Sequence, residues 1–355
     1  MTGTVATGAA PAHVGTAAVP LALVRRGDLV ESVHSGHVVV LAPDGTVRLA
    51  LGDPDVVVWP RSSLKPLQAV AMLRSGLDVD GERLALACAS HNAEDGHLDV
   101  VRRMLAAAGL TEDDLQNTPD WPLHAEAAYA WRTAGHGPAS LTQNCSGKHA
   151  AMLATCRAAG WDTATYRDPA HPLQRAVVRA VADLTGDAPA HVTVDGCGAP
   201  VLSTTLRGLA RAFGRIAAAA GTGDGSGDGA GHGAAPEARV GRAMSAHPWH
   251  VGGTGRDVTA VMAAVPGLVA KDGADGVYAA GLPDGGAVAL KVADGGSRPR
   301  PAVLAAALAV AGVDPAVLRD LAATPVLGHG VPVGAVVATF GPGAAVDGRA
   351  PGGGA

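Results

Sequence analysis

The order of strand-like and helix-like segments limits the possible folds of this chain more than any other feature of the sequence. Near the N-terminus, HVVVLAPDGTVRLALG places Asp44-Gly45 between two β-branched runs, a pattern typical of a β-hairpin. Four more strand-like runs follow, at residues 191–194, 267–270, 277–281 and 287–292. Because strands and helices do not alternate as in a βαβ protein, we expect an α+β fold with a mostly antiparallel sheet.

Helices are predicted from apolar spacing and from end signals. The first begins at Ser62 or Ser63, with the serine pair at its N-cap, Pro66 tolerated in its first turn and Gly76 after its end. The other predicted helices are residues 98–108, 146–159, 172–184, 201–213, 237–246 and 300–311.

A chain of 355 residues with 48% hydrophobic content is long enough to bury a substantial core. Only 3% of the residues are aromatic, so the core must be packed from small aliphatic side chains. We expect one catalytic domain over residues 19–340, flexible tails at 1–18 and 341–355, and a flexible Gly/Ala/Asp-rich insertion at 216–238.

The charge pattern excludes some partners. A net charge of −5 and a pI of 6.2 leave no basic stripe for a nucleic acid backbone. No signal peptide and no apolar run of membrane-spanning length are present, so we predict a cytoplasmic protein without a membrane partner. In that compartment the four cysteines are expected to be reduced rather than bridged.

Lysine is rare in this chain, with four lysines against 23 arginines. Arginine is effectively always charged, whereas a buried lysine can lose its proton and act as a base. The remaining lysines are therefore candidates for chemistry, although chance survival on the surface would also explain any one of them. Lys291 alternates with apolar residues in a strand-like run and is predicted to be structural.

Ser62 and Lys65 lie three residues apart at a predicted helix start, where they would share one face. An amine beside a hydroxyl, next to free backbone N–H groups, suits an activated serine nucleophile. Further along come Ser90-x-Asn92 and Lys271-x-Gly273, in the motif order of penicillin-binding proteins and class A β-lactamases. Alternatively, Ser90 could be a loop serine that caps a turn, and Lys271 a strand-end lysine that faces solvent.

Cys145 and Lys148 lie three apart at another predicted helix start, where the pKa of a thiol is lowered. Cys197 follows in VDGCGAP, between a predicted strand and a predicted helix. Two thiolates could hold a soft metal such as zinc, or the cysteines could be buried and inert. Cys88 and Cys156 lie in apolar runs and are predicted to belong to the core.

Eight segments together carry a family resemblance. They are VRRGDLVESVHSGHVVV, PRSSLKPLQ, CASHNAEDGH, NCSGKHAAML, DPAHPLQ, VDGCGAP, AMSAHPWHVGGTGR and LVAKDGADGVYAAGL. In this order they resemble the L-asparaginase II family, the class 3 asparaginases, from about Leu23 to Arg298.

The resemblance implies a fold similar to serine β-lactamases and glutaminases, a homodimer, and hydrolysis of L-asparagine to L-aspartate and ammonia. It pairs Ser62 with Lys65 and Ser90 with Lys271 as catalytic groups. It also implies a zinc ion held by Cys145, Lys148, Cys197 and water, with Asp195 nearby.

Substrate contacts are predicted at three residues. Arg61 is expected to anchor the substrate carboxylate, because its fork suits that geometry, and Asn92 and Asp195 are assigned to substrate binding as well. Two rival functions remain open: a penicillin-recognising acyl-serine enzyme, and a non-catalytic zinc-binding protein of the same fold.

Overall fold

The computed structural model describes residues 13–221 and 234–342. Most of the predicted tails (1–18 and 341–355) and the middle of the predicted insertion (216–238) lie outside these residues. None of the helices in the described ranges is long and apolar enough to cross a membrane.

The strands within these residues are short to medium in length. They are β1 (Val19–Arg26), β2 (Leu29–Leu41), β3 (Val47–Leu51), β4 (Val57–Val58), β5 (Val192–Val194), β6 (Pro200–Leu202), β7 (Thr204–Thr205), β8 (Val269–Gly273), β9 (Val277–Gly281), β10 (Ala287–Val292), β11 (Thr324–Gly328) and β12 (Val331–Ala338).

The helices vary from one turn to about four turns in length. They are α1 (Lys65–Arg74), α2 (Gly81–Ala87), α3 (Asp95–Ala107), α4 (Ala125–Thr133), α5 (Ser146–Ala159), α6 (Pro172–Thr185), α7 (Leu206–Gly221), α8 (Pro236–Ala246), α9 (Pro248–Val251), α10 (Asp257–Ala264), α11 (Arg300–Ala311) and α12 (Arg319–Ala322). Short 3₁₀ turns occupy Arg61–Leu64 and Glu112–Asp114.

One antiparallel sheet dominates the fold. Its strand order is β11-β12-β1-β2-β10-β9-β8, and β3 pairs with β2 beside this path. The predicted hairpin is confirmed, because β2 and β3 pair and Gly45 in the turn has a φ of 82°. Small two-stranded sheets join β4 to β7 and β5 to β6. The α+β prediction with a mostly antiparallel sheet is therefore confirmed.

Two of the predicted helices are followed by glycine. The helices predicted at 146–159 and 300–311 have those bounds in the structure, as α5 and α11. Gly160 and Gly312 follow them with left-handed backbone, a conformation that glycine adopts without steric cost.

The helix predicted at 201–213 is wrong over its first five residues. Residues 200–202 and 204–205 form β6 and β7, because Val201 pairs with Thr193 and Thr204 pairs with Val58. These β-branched side chains fit a paired strand better than a helix. Helix α7 begins only at Leu206 and continues to Gly221, so the first residues of the predicted insertion are helical.

Helices α7 and α11 pack against the central strands of the main sheet. Helices α1, α2, α3, α5, α6 and α8 pack on one another in a cluster beside it. The 3₁₀ turn Arg61–Leu64 contacts β8 and β9. The start of α1 is thereby fixed against β8, the edge strand that carries Lys271.

The core consists mainly of alanine, valine and leucine, as the low aromatic content predicts. Among the largest fully buried side chains in the described residues, Tyr166, Tyr278 and Phe213 are accompanied by three lysines, Lys65, Lys148 and Lys271. Lysine is almost never fully buried without a partner, so these positions require a chemical explanation.

Gly281 marks a close approach between β9 and α7. A Cβ atom added there would lie 2.1 Å from the carbonyl oxygen of Phe213. We expect Gly281→Ala to lower the free energy of unfolding by about 1–3 kcal/mol, because backbone must move to admit the methyl group. Urea unfolding measures this change.

Gly137→Ala is the matched control, because a Cβ atom at Gly137 meets nothing within 4 Å. Its effect should stay within about 0.5 kcal/mol. Equal effects of the two substitutions would contradict the close packing of β9 on α7.

Candidate active site

The 3₁₀ turn before α1 holds two predicted site residues. Arg61 has a φ of 53°, a left-handed conformation uncommon for a residue other than glycine and often found at functional sites. The Ser63 hydroxyl donates to the Lys271 carbonyl oxygen at 3.0 Å and so ties the turn to β8. Ser62 is half-buried, and its Oγ has no hydrogen-bond partner within residues 13–221 and 234–342.

Helix α1 itself starts at Lys65, with Leu64 as N-cap and Pro66 in its first turn. The prediction for Pro66 is confirmed, whereas neither serine caps the helix through its side chain. The serine pair lies one 3₁₀ turn earlier, so Ser62 and Lys65 belong to two consecutive helical turns.

Lys65 is 1% exposed. Its ammonium group donates to Ser90 Oγ at 3.0 Å and also contacts the carbonyl oxygen of Ala89. Ser90 follows α2 in a buried segment. The structure therefore joins two predicted catalytic residues that lie 25 positions apart in the sequence.

The segment around Ser90 is fixed by backbone contacts. The Ser90 N–H donates to the Val251 carbonyl at 3.1 Å, and the Asn92 N–H donates to the Gly252 carbonyl at 3.0 Å. The Asn92 side-chain amide donates to the Thr254 carbonyl at 2.9 Å and to Glu94 at 3.0 Å. These bonds use both amide hydrogens of Asn92 to hold the loop in which it lies. The substrate-binding role of Asn92 stays a prediction.

Lys271 lies on β8 and is fully buried. Its ammonium group contacts the Asp272 carboxylate and donates to the Asp272 carbonyl oxygen at 2.8 Å. Burial lowers the pKa of Lys271 to about 8, and the Lys65 ammonium group adds to this effect while Asp272 opposes it. A side chain with this pKa supplies a base at mildly alkaline pH.

These contacts differ from the implied catalytic pairs. Within the described residues, Lys65 is bonded to Ser90 rather than to Ser62, and Lys271 is bonded to Asp272 rather than to Ser90. The pairs Ser62 with Lys65 and Ser90 with Lys271 therefore stay predictions.

Arg61 and Asp195, both predicted to bind substrate, lie in contact. Arg61 Nε donates to Asp195 Oδ1 at 2.8 Å, and the guanidinium group also pairs with Asp275. Burial would raise the pKa of Asp195, but the nearby cations Lys148 and Arg61 outweigh it and lower that pKa. The two side chains therefore form a charged pair beside the start of α1.

Cys145, Lys148 and Cys197 are buried and adjacent. Cys145 is the N-cap residue of α5, and the Lys148 ammonium group donates to Cys197 Sγ at 3.1 Å. A hydrogen bond with Cys197 lowers the pKa of Cys145, helped by the ammonium groups of Lys65 and Lys148, whereas the same contact and burial raise the pKa of Cys197. Of the two thiols, Cys145 is therefore the one that more readily becomes a thiolate, beside a charged lysine.

The donor set fits zinc in chemical type, since zinc takes sulfur and nitrogen ligands. No three His, Cys, Asp or Glu side chains of the described residues are grouped so as to hold a metal ion. Asp195 is therefore not a third ligand of that kind, and the third protein donor would be the Lys148 amine. The thiolates raise the pKa of Lys148 despite its burial, so a metal would have to displace its proton.

All four cysteines are free and buried. Cys88 and Cys156 belong to the hydrophobic core, as predicted. Burial raises the pKa of Cys88 to about 12 and that of Cys156 to about 11, which keeps both thiols protonated and inert. Lys291 is a buried β10 residue whose ammonium group contacts the Asp275 carbonyl, which confirms its strand position.

Two charged residues of the site are absent from the sequence-based predictions. Asp272 is buried beside Lys271, and Arg256 reaches it at 2.8 Å. The dipeptide Lys271-Asp272 is a local signal for the carboxylate. Arg256 gives no such signal, because it lies 16 residues from Asp272 in the sequence.

Buried lysines in contact with serine, thiol and carboxylate groups indicate an enzyme site rather than a structural core. The comparison with protein families identifies its class. The L-asparaginase II family matches residues 22–338, and the chain belongs to this family. Family membership supports a hydrolase. A search of curated proteins finds no match.

Three solved structures show remote similarity to this chain. Mglu has 16% sequence identity and a TM-score of 0.40, covering 77% of this chain and 65% of that chain. Its glutamate form has 17% identity and a TM-score of 0.41, covering 77% of this chain and 59% of that one. The chain thus spans less than two thirds of the Mglu chains it matches. A β-lactamase from Mycobacterium bovis has 15% identity and a TM-score of 0.37, covering 85% of this chain and 94% of that chain.

The Lys148 charge favours the thiolate form of Cys145. We expect Lys148→Met to raise the pH at which the first thiolate appears, because it removes the cation that stabilises the thiolate. Ultraviolet thiolate absorbance during a pH titration of metal-free protein measures this. Cys156→Ala is the control and should leave the first titration unchanged, and an unchanged titration in Lys148→Met would contradict the contact.

Proposed function

We propose that the protein is an L-asparaginase, an amidohydrolase that converts L-asparagine and water to L-aspartate and ammonia. One observation carries the proposal: Lys65, fully buried at the start of α1, holds Ser90 Oγ at 3.0 Å while Ser62 lies in the preceding turn. Such a cluster suits serine nucleophiles activated by an amine. The family to which the chain belongs supports the same reaction class.

Ser62 is the proposed nucleophile. Its neighbour Ser63 is buried and donates a hydrogen bond to the Lys271 carbonyl. Within the described residues, the Ser62 hydroxyl has no such partner and is available to react. Ser62 Oγ would attack the side-chain amide carbon of asparagine, and backbone N–H groups at the helix start would stabilise the oxyanion. The leaving amide nitrogen takes up a proton and departs as ammonia, and water then hydrolyses the serine ester to release aspartate.

Proton movement is proposed to use Lys65 together with Ser90 and Lys271. The contact between Lys65 and Ser90 supports a relay between the two serines. Lys271 adds a second amine, whose pKa of about 8 allows a substantial neutral fraction near that pH. Asp272 would hold this amine in place.

Substrate binding is proposed to use the charged pair of Arg61 and Asp195. An amino acid substrate carries a carboxylate and an ammonium group, and the two side chains offer the complementary charges. Arg61 would anchor the carboxylate and Asp195 the ammonium group. Asn92 is proposed to act on the same site through the Ser90 loop that it holds.

Cys145, Lys148 and Cys197 are the residues proposed to hold zinc. When bound, zinc would supply a Lewis acid and lower the pKa of a bound water molecule. Lys148 would bind it as the neutral amine, and Asp195 would lie nearby without binding the metal. We further propose a cytoplasmic homodimer that binds neither nucleic acid nor membranes, on the family resemblance and on the acidic charge alone.

Ammonia release from L-asparagine tests the proposed function, with L-glutamine as a parallel substrate. We expect Ser62→Ala to lower kcat/KM by about 1,000-fold or more, because the nucleophile is removed. Lys65→Arg should lower it comparably, since arginine does not act as a base at neutral pH. Ser245→Ala is the control, because that hydroxyl bonds the Gly241 carbonyl within α8.

The alternative functions give different outcomes. Equal activity of the parent and Ser62→Ala would move the nucleophile to Ser90. Covalent labelling of Ser62 by a β-lactam, without amidase activity, would favour the penicillin-recognising enzyme suggested by the motif order. Stoichiometric zinc without amidase activity would favour a non-catalytic zinc-binding protein.

The pH profile reports the role of Lys271. A lysine with a pKa of about 8 is mostly ammonium below that pH and mostly neutral base above it. If Lys271 accepts a proton, kcat/KM should rise as pH increases through about 8 and then level off. Initial rates across this range measure the profile, and activity already maximal at pH values well below 8 would contradict the role.

A further inference from the structure

Arg256 contacts the Asp272 carboxylate and the Ser90 loop at the same time. It precedes α10, and its Nη2 lies 2.8 Å from Asp272 Oδ2. Its Nη1 donates to the Ser90 carbonyl at 3.3 Å and approaches Asn92 Oδ1 at 3.5 Å. One guanidinium group thus touches both the Ser90 loop and the carboxylate that holds Lys271.

The nearby Arg300 makes different contacts. It donates to the Gly273 carbonyl at 2.8 Å and stays 3.9 Å from the Asp272 carboxylate. It therefore secures the end of β8 and has no contact with Ser90 among the described residues. The planar fork of Arg256 suits two simultaneous acceptors, which a lysine at that position would match poorly.

We propose that Arg256 is a positioning residue of the hydrolytic site, which holds the Ser90 loop and the Asp272 carboxylate at a fixed separation and so sets where the Lys271 amine lies relative to Ser90. The expected effect on reaction rates rests on the proposed function. The position of the Lys271 amine does not, because it can be tested without turnover.

Arg256 also contributes charge to the surroundings of Lys271. The groups that face Lys271 are Asp272 on its own strand, Lys65 from α1, Cys88 after α2 and Arg256. Asp257, Arg300 and Tyr278 interact electrostatically with the Asp272 carboxylate. Removing the Arg256 cation takes away positive charge, which favours the ammonium form of Lys271 and raises its pKa.

The change in the pKa of Lys271 can be measured by NMR because the chain has few lysines. A protein labelled with ¹³C at the lysine ε-carbon gives one NMR signal for each of its four lysines. A Lys271→Met variant identifies the signal of Lys271. Its titration midpoint is then followed in the full-length parent, in Arg256→Gln and in Arg256→Lys. Arg102→Gln is the matched control, because Arg102 forms an exposed pair with Glu112.

We expect the Lys271 midpoint to rise by about one pH unit in Arg256→Gln, the lower end of the effect of a neighbouring charge. The pH profile of ammonia release should move to higher pH by the same amount. Arg256→Lys should keep the parent midpoint yet lower kcat about tenfold or more, because the charge remains while the two-sided contact is lost. Arg102→Gln should match the parent in every measurement.

An unchanged Lys271 midpoint in a folded Arg256→Gln protein would overturn the proposal. Parent-like kcat in Arg256→Lys would also overturn it, and that variant still tests the positioning role if Arg256→Gln does not fold. A parent that releases no ammonia would refute the proposed function alone, because the lysine titration needs no substrate and still tests Arg256.

Discussion

The burial of lysine ammonium groups is the constraint on which the rest of this structure depends. A buried cation is costly unless hydrogen-bond acceptors or anions surround it. Lys65 has the Ala89 carbonyl and Ser90, Lys148 has Cys197, and Lys271 has Asp272. The partners of Lys65 and Lys148 come from distant segments, so compensating these two charges brings Ser90 to α1 and Cys197 to α5, whereas Asp272 is the residue next to Lys271 on β8.

Compensation is incomplete around Lys271. The Lys65 ammonium group disfavours the charge of Lys271, and the carboxylate of Asp272 is shared with Arg256 and Arg300. Asp272 stays ionised despite burial because these cations lower its pKa. Burial is the main reason that the pKa of Lys271 is low enough for proton transfer, and the neighbouring cations Lys65 and Arg256 lower it further, while Asp272 opposes them.

Local sequence rules predicted the parts of this protein that local interactions determine. The hairpin at Asp44-Gly45 and the helices that end at Gly160 and Gly312 follow from backbone preferences of a few residues. Residues 201–205 misled the helix prediction because their strand partners, at 192–194 and 57–58, lie elsewhere in the chain. The rarity of lysine pointed to the site for a similar local reason, since an arginine cannot serve as a base. The partners of those lysines depend on tertiary contacts, which is why the contact of Arg256 with Asp272 was not predicted, although Arg256 ends one of the eight segments that carry the family resemblance.

The pairing of β1 with β12 has a consequence for how the chain acquires its structure. Val24 lies opposite Val336, and β2 pairs on its far side with β10, so the middle of the sheet joins segments from opposite ends of the described chain. During synthesis β1, β2 and β3 are made early and can pair with one another, but the remaining edges of β1 and β2 must wait for β12 and β10. Contacts of such high sequence separation slow folding and leave strand edges open to intermolecular pairing meanwhile. The unpaired edges of β1 and β2 are therefore places where the growing chain can pair with other chains until β12 and β10 are made.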